Sequence, residues 1–259
     1  MGILNITPDS FFDGSRVVQH DQLLQQAQQM LNNGATFIDI GGYSTRPGAA
    51  EVSLTEELNR VIPAIEFLSK HLPKAIISID TFRAKVAKKA IQAGASIVND
   101  ISSGEDDPAM FSTVAALGVP YIMMHKRGTP QTMQQFTQYQ NVTLEVIDYF
   151  NHKIAAARAA GIVDIIIDPG FGFAKTLEQN YELLKNLNHF KITELPVLIG
   201  VSRKKMIQQV TQTDAAHALN GTTVVNTLAL LGGAHILRVH DVKEAKECIN
   251  IVQATYGNI

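Results

Sequence analysis

The chain has no tryptophan and a single cysteine, Cys248. One thiol cannot close an intrachain disulfide, so packing must hold the fold, and a reducing, cytoplasmic setting is expected. Neither sign of charge prevails. Twenty-two basic residues stand against 24 acidic ones, a net of −2, which offers no general field for nucleic acid or an anionic membrane. No apolar run approaches a membrane span, and no basic segment leads into an apolar stretch at the N-terminus as a secretory signal requires. The 8 histidines show no zinc spacing. Neither GxxxxGK[ST] nor GxGxxG occurs, since "GFGFAKT" (170–176) has glycines at other intervals. What is present is ample core material: 46% hydrophobic residues over 259 positions, a length that suits one α/β barrel domain spanning 1–259.

A partial repeat points to the same fold. "NNGATFIDI" (32–40), "QAGASIVND" (92–100), "ALGVPYIMMH" (116–125), "AAGIVDIIID" (159–168) and "LGGAHILRVH" (231–240) share one plan. In each, a glycine stands where a helix should end, a short apolar run follows, and a polar residue closes it. "KAIISID" (74–80) and "LPVLIG" (195–200) have the strand without the glycine, and "GILN" (2–5) makes eight strands. Between them lie amphipathic patterns. Leu23, Leu24, Ala27, Met30 and Leu31 form one face after a cap at Asp21; Val86, Ala87, Ala90 and Ile91 form another after a cap at Thr81. Val242, Ala245, Ile249 and Val252 form the last. Buried strands alternating with helices predict a parallel sheet under helices, and eight units predict a closed (β/α)8 TIM barrel, with a doubly wound open sheet as the alternative.

The strand ends carry the functional signal. Asn5, Asp39, Asp80, Asn99, His125, Asp168 and His240 all fall at or just past a strand's C-terminal end, the rim where such barrels build their sites. "GGYSTRPG" (41–48), "GVSRKK" (200–205) and "RVH" (238–240) add Thr45, Arg46, Arg203, Lys204 and Arg238, groups that grip phosphate oxygens. Asp80 and Asp168 end very apolar strands, and a buried carboxylate needs donors or cations. A ring with adjacent N–H groups, such as an aminopyrimidinone, is a sensible partner, and Asn99 can both donate and accept. Asn5 with substrate oxygens suits only a hard, weakly held cation such as Mg²⁺. The first loop, "TPDSFFDGS" (7–15), places Phe11 and Phe12 beside Asp9 and Asp13, more than a simple turn requires.

"LNITPDSFFDG", "DIGGYSTRPG", "SIDT", "IVND", "DPGFGFAKT", "GVSRKK" and "RVHD" in this order make the chain resemble the dihydropteroate synthase family from Gly2 to Asp241. The resemblance implies condensation of 6-hydroxymethyl-7,8-dihydropterin diphosphate with p-aminobenzoate, and a homodimer. By motif, it implies that Asp80, Asn99, Asp168 and Lys204 hold the pterin edge and that Arg238 flanks the ring. It implies diphosphate binding by Thr45, Arg46, Arg238, Val239 and His240, and by Asn5 through Mg²⁺. Phe11, Thr45, Pro47, Phe173 and Lys205 would border p-aminobenzoate, with Asp9 acting from a mobile first loop. Lys205 stands where the family has Ser, Ala174 where it has Gly, and Phe12 and Tyr43 also depart. The helix "TTVVNTLALLGGA" (222–234) is the candidate dimer face. An inactive pterin-binding paralogue and a folate-dependent corrinoid methyltransferase are the competing functions.

Overall fold

The apolar runs form eight parallel strands that alternate with helices in a computed structural model, which describes residues 1–6, 16–43, 51–129 and 132–257, with backbone alone at 16–19. The strands are β1 (Gly2–Asn5), β2 (Phe37–Gly41), β3 (Ile76–Asp80), β4 (Ile97–Asp100), β5 (Tyr121–Met124), β6 (Ile165–Asp168), β7 (Leu198–Ile199) and β8 (Ile236–Leu237). The helices are α1 (Arg16–Asn32), α2 (Leu54–His71), α3 (Ala84–Gln92), α4 (Met110–Leu117), α5 (Val142–Ala159), α6 (Leu177–Lys185), α7 (Lys205–Thr211), α8 (Leu219–Leu231) and α9 (Val242–Tyr256). The helix-ending glycines of the repeat are all left-handed, from φ +64° at Gly118 to +116° at Gly94.

Strands β1 to β6 make one continuous parallel sheet and β7 and β8 a second pair. Two bridges sew them into a ring. Ile167 pairs with Val197 between β6 and β7, and Gly2 pairs with Val239 between β8 and β1. The second seam carries hydrogen bonds from Ile3 N–H to the Val239 carbonyl and from Val239 N–H to the Met1 carbonyl, both 2.9 Å. An open doubly wound sheet has two free edges; among the described residues the two bridges join both edges of this one, the connectivity of a (β/α)8 barrel.

The two-residue period of the strands sorts their side chains. Ile38, Ile40, Ile77, Ile79, Val98, Tyr121, Met123, Ile165 and Ile167 face outward into the main core, against helix residues such as Ala27, Ile65, Val86 and Phe150. Met1, Ile97, Ile122 and Leu198, with Phe37, Ile166 and Ile236, fill the barrel's interior. Two residues further along the same strands come Asp39, Asn99, Asp168 and Arg238. The interior is therefore greasy at its floor and polar at its mouth.

Two expected helix starts are corrected. α1 begins at Arg16, so Asp21 lies inside it rather than capping it. α3 begins after Arg83, which makes no side-chain cap; Thr81 accepts the Arg83 N–H at 3.2 Å and donates to Glu57 at 2.7 Å instead. The signal at Thr81 was real but belongs to the turn before the helix. Among the described residues, no helix is long and apolar enough to cross a membrane.

Candidate active site

The mouth of the barrel is organised around one guanidinium. Arg238, just past β8, donates from Nε to Asp39 Oδ2 and from Nη2 to Asp80 Oδ2, both at 2.6 Å. Asp39 is completely buried, and the same Oδ2 accepts Asn99 Nδ2 at 3.1 Å. A carboxylate only accepts, so the Asn99 amide nitrogen must face Asp39. Asp39 Oδ1 is buried with no hydrogen-bond partner among the described residues. Desolvation lowers the pKa of Arg238, but Asp39 and Asp80 outweigh it and raise the pKa overall, so the cation is permanent. Burial pushes the Asp80 carboxyl up to about 7, with Arg238 pulling it down and Asp39, Glu57 and Asp100 adding to the rise.

Asp168 supplies the opposite wall. Its carboxylate is 7% exposed and accepts the Gly170 N–H at 2.8 Å. Desolvation raises its pKa, while Lys204 and that N–H oppose the rise. Gly170 is required here: at φ +71°, an added Cβ would lie 1.9 Å from the His125 carbonyl oxygen. Lys204 donates to the Phe171 carbonyl at 2.5 Å, and its Nζ lies 4.9 Å from the centre of the Phe173 ring. Burial lowers the Lys204 ammonium to about 8, although Asp168 favours the charged form. A Cβ on Gly200 would sit 3.9 Å from Arg238 Cβ and 4.0 Å from Asp168 Oδ2, so that glycine separates the two walls.

His240 meets Ser202, whose hydroxyl lies 3.0 Å from Nδ1 and accepts the His240 N–H at 3.2 Å. Val239 is buried in the seam with β1. Asn5 is exposed at the end of β1, and a Cβ on Gly41 would lie 3.7 Å from both Asn5 Oδ1 and Asp80 Oδ2. No group of three His, Cys, Asp or Glu residues among those described could cage a metal. A hard cation sharing one exposed amide oxygen with substrate oxygens and water fits this donor set.

The structure thus brings Asn5, Asp80, Asn99, Asp168, Lys204, Arg238, Val239 and His240 to one rim. Lys205 is exposed at the start of α7. Arg203 is not a free phosphate ligand: both its Nε and Nη2 bind Asp241 at 2.8 Å, and Nη1 holds the Ala215 and Ala216 carbonyls at 2.7 Å. Its backbone, at φ +55°, turns the side chain away from the direction taken by Lys204. Asp9, Phe11, Thr45, Arg46 and Pro47 lie outside the described residues. The motif reading passed over Glu57, buried against Arg83 and Thr81, and Lys175, buried below the Asp168 loop. Glu57 carries no sequence signal beyond an acid on a helix face. Lys175 does, as a lone cation beside "FGFA".

Carboxylates and an amide thus line one mouth with the Arg238 and Lys204 cations among them, an arrangement that suits an enzyme for a nitrogen-rich heterocycle and an anion. The chain belongs to the pterin binding enzyme family, whose model matches residues 1–240. Its relatives narrow the class to dihydropteroate synthases. It is 45% identical over 257 residues to that of Escherichia coli strain K12, covering 98% of this chain and 90% of that protein. The Yersinia pestis dihydropteroate synthase in a sulfonamide drug complex superimposes with a TM-score of 0.92 at 45% identity, covering 100% of this chain and 94% of that one. The Xanthomonas albilineans enzyme with 4-aminobenzoic acid gives 0.90 at 37% identity, with 100% and 93% covered.

Proposed function

We infer that the protein is a transferase that makes 7,8-dihydropteroate. The arylamine nitrogen of p-aminobenzoate bonds to the methylene carbon of the pterin diphosphate, the C–O bond to the diphosphate breaks, and pyrophosphate leaves. The nitrogen then loses a proton. The observation that carries the reading is the convergence of Asp80, Asn99, Asp168, Lys204 and Arg238 on one mouth of the barrel.

Asp168 and Asp80 accept the ring's N–H groups, and Asn99, with its nitrogen held by Asp39, presents its oxygen. Buried acceptors with fixed partners reject rings that lack those donors. Arg238 spans the two halves: its acids hold it rigid, so it meets developing charge on the diphosphate without reorganising. Arg46, Val239 and His240 complete that end. A magnesium ion held by Asn5 supplies further neutralisation of the leaving group when bound. Loss of pyrophosphate runs ahead of amine attack, because positive charge on the methylene spreads into an electron-rich ring. The neutral arylamine needs no strong base. The first loop, with Asp9 and Phe11, and the second, with Thr45, Arg46 and Pro47, cover the site and exclude water. Phe173 and Lys205 border the arylamine.

The enzyme acts in the cytoplasm as one barrel domain, without nucleic acid or membrane, and as a homodimer. Val224, Leu228 and Leu231 stand 52%, 48% and 46% exposed on α8 at helical spacing, an apolar stripe that a second copy would cover. The deciding assay mixes the purified protein with Mg²⁺, the pterin diphosphate and p-aminobenzoate. Pyrophosphate that appears only with the arylamine supports synthesis. Pterin binding without release would leave an inactive paralogue.

A further inference from the structure

Lys175 is 3% exposed and has no task in the chemistry above. Its Nζ lies 2.9 Å from His125 Nδ1, 3.0 Å from the Gly170 carbonyl oxygen and 3.1 Å from the Phe173 carbonyl oxygen. Burial lowers the Lys175 pKa to about 7, although Asp168 favours the charged form; as an ammonium it has three protons and no lone pair, so three acceptors satisfy it completely. His125 is itself 1% exposed, and desolvation together with the Lys175 and Arg127 cations lowers its pKa well below 6.5. The imidazole is therefore neutral, and toward the charged lysine it turns its Nδ1 lone pair, with its proton on Nε2.

The two carbonyls that Lys175 holds lie at opposite ends of a contorted segment. Gly170, Gly172 and Ala174 have φ of +71°, +80° and +50°, three left-handed residues within five. Alternation of this kind is not a local preference of the chain, least of all at an alanine, and it persists only where surrounding groups impose it. Lys204 grips the outer side through the Phe171 carbonyl, and Lys175 grips the inner side through Gly170 and Phe173. Asn180 Oδ1 adds a bond from the Gly172 N–H at 2.7 Å. The ring of Phe173, beside the Lys204 ammonium, rides on this segment.

We propose that Lys175 is a positioning residue for the second substrate: seated on neutral His125, it clamps the Gly170 and Phe173 carbonyls and so fixes the Phe173 ring beside Lys204. The inference rests on the reading that p-aminobenzoate lies against Phe173. The pterin edge is built on the strands themselves, by Asp80, Asn99 and Asp168, so the clamp acts on one substrate more than the other.

Lys175→Met keeps an unbranched four-atom stem and removes all three bonds. Steady-state kinetics should show the KM for p-aminobenzoate raised on the order of tenfold, since small displacements of a positioning group are costly. Pterin diphosphate affinity, measured by calorimetry, should weaken less than about threefold, a difference of only ~0.6 kcal/mol. In a Phe173→Ala background the lysine change should add little further. Equal weakening of both substrates, or an unchanged KM for p-aminobenzoate beside a raised one in Phe173→Ala, overturns the proposal alone. An unchanged KM in Phe173→Ala overturns the subsite reading and the proposal with it. If Lys175→Met fails to fold, His125→Leu removes only one of the three acceptors and is judged by the same split.

Discussion

Replacing Arg238 by methionine removes the one cation, among the described residues, that bonds both Asp39 and Asp80. Asp39 is completely buried and Asp80 is 15% exposed at its side chain, so neither acid regains full hydration when its partner is lost. Truncating one member of a buried ion pair costs about 3–5 kcal/mol. Arg238 is itself 21% exposed, which allows some water to reach the gap and places the loss near the lower end, about 3 kcal/mol. For a chain of this length that is about 6–12 °C in Tm. The loss should depend on pH. Without the guanidinium, the Asp80 pKa in the folded state rises further above its ordinary value of 3.8 and beyond the present value of about 7. A group whose folded pKa is raised favours the fold at low pH and loses that benefit as pH climbs through the raised value. The variant should therefore be hurt more at pH 8 than at pH 6. Urea titration at both pH values measures this, and adding Asp39→Asn should recover more than about 1 kcal/mol through coupling. A loss below about 1 kcal/mol that is the same at both pH values would refute the arrangement around Arg238.

Asp168→Asn removes a charged acceptor from the heterocycle wall; a charge-assisted bond is worth about 1.5–3 kcal/mol, so calorimetry should find pterin binding weakened by about tenfold to a hundredfold. An unchanged affinity would remove Asp168 from the wall. The kcat/KM for the pterin substrate should fall as pH drops through about 7, because protonated Asp80 loses the charge that pairs with Arg238 and strengthens its bond to the ring, and one of its oxygens becomes a donor. This acid limb should vanish in Asp80→Asn, whatever activity remains. Ala174→Gly should stabilise the fold by about 1 kcal/mol, since a left-handed alanine bears a steric cost that glycine does not. A lower urea midpoint in that variant would mean that the Ala174 methyl contributes more by packing than it costs in strain.

The barrel was legible because its signals are local. The glycine that ends a helix, the short apolar run and the polar residue after it lie within ten positions of one another, and the period of two decides which face each residue takes. The polar rim was legible for the same reason. Its pairings were not. Arg203 and Lys204 are adjacent cations, yet one straps Asp241 and the other enters the site, and the left-handed backbone at Arg203 is no part of any side-chain motif. The cap signals at Asp21 and Thr81 misled because an acid or hydroxyl near a helix start serves as well in a turn or on the helix surface. Lys175 escaped because its three acceptors come from two distant segments and two of them are backbone carbonyls, which no side-chain motif records.

The distance along the chain between the site's charges has a consequence for how the molecule is made. Arg238 follows Asp39 by 199 positions and Asp80 by 158. During synthesis on the ribosome, the acids of the second and third strands emerge long before the cation that neutralises them. The growing polypeptide can lay down most of its wall, but it must keep those carboxylates wet until the final stave arrives. The guanidinium at the centre of the rim thus acts as a late latch on assembly.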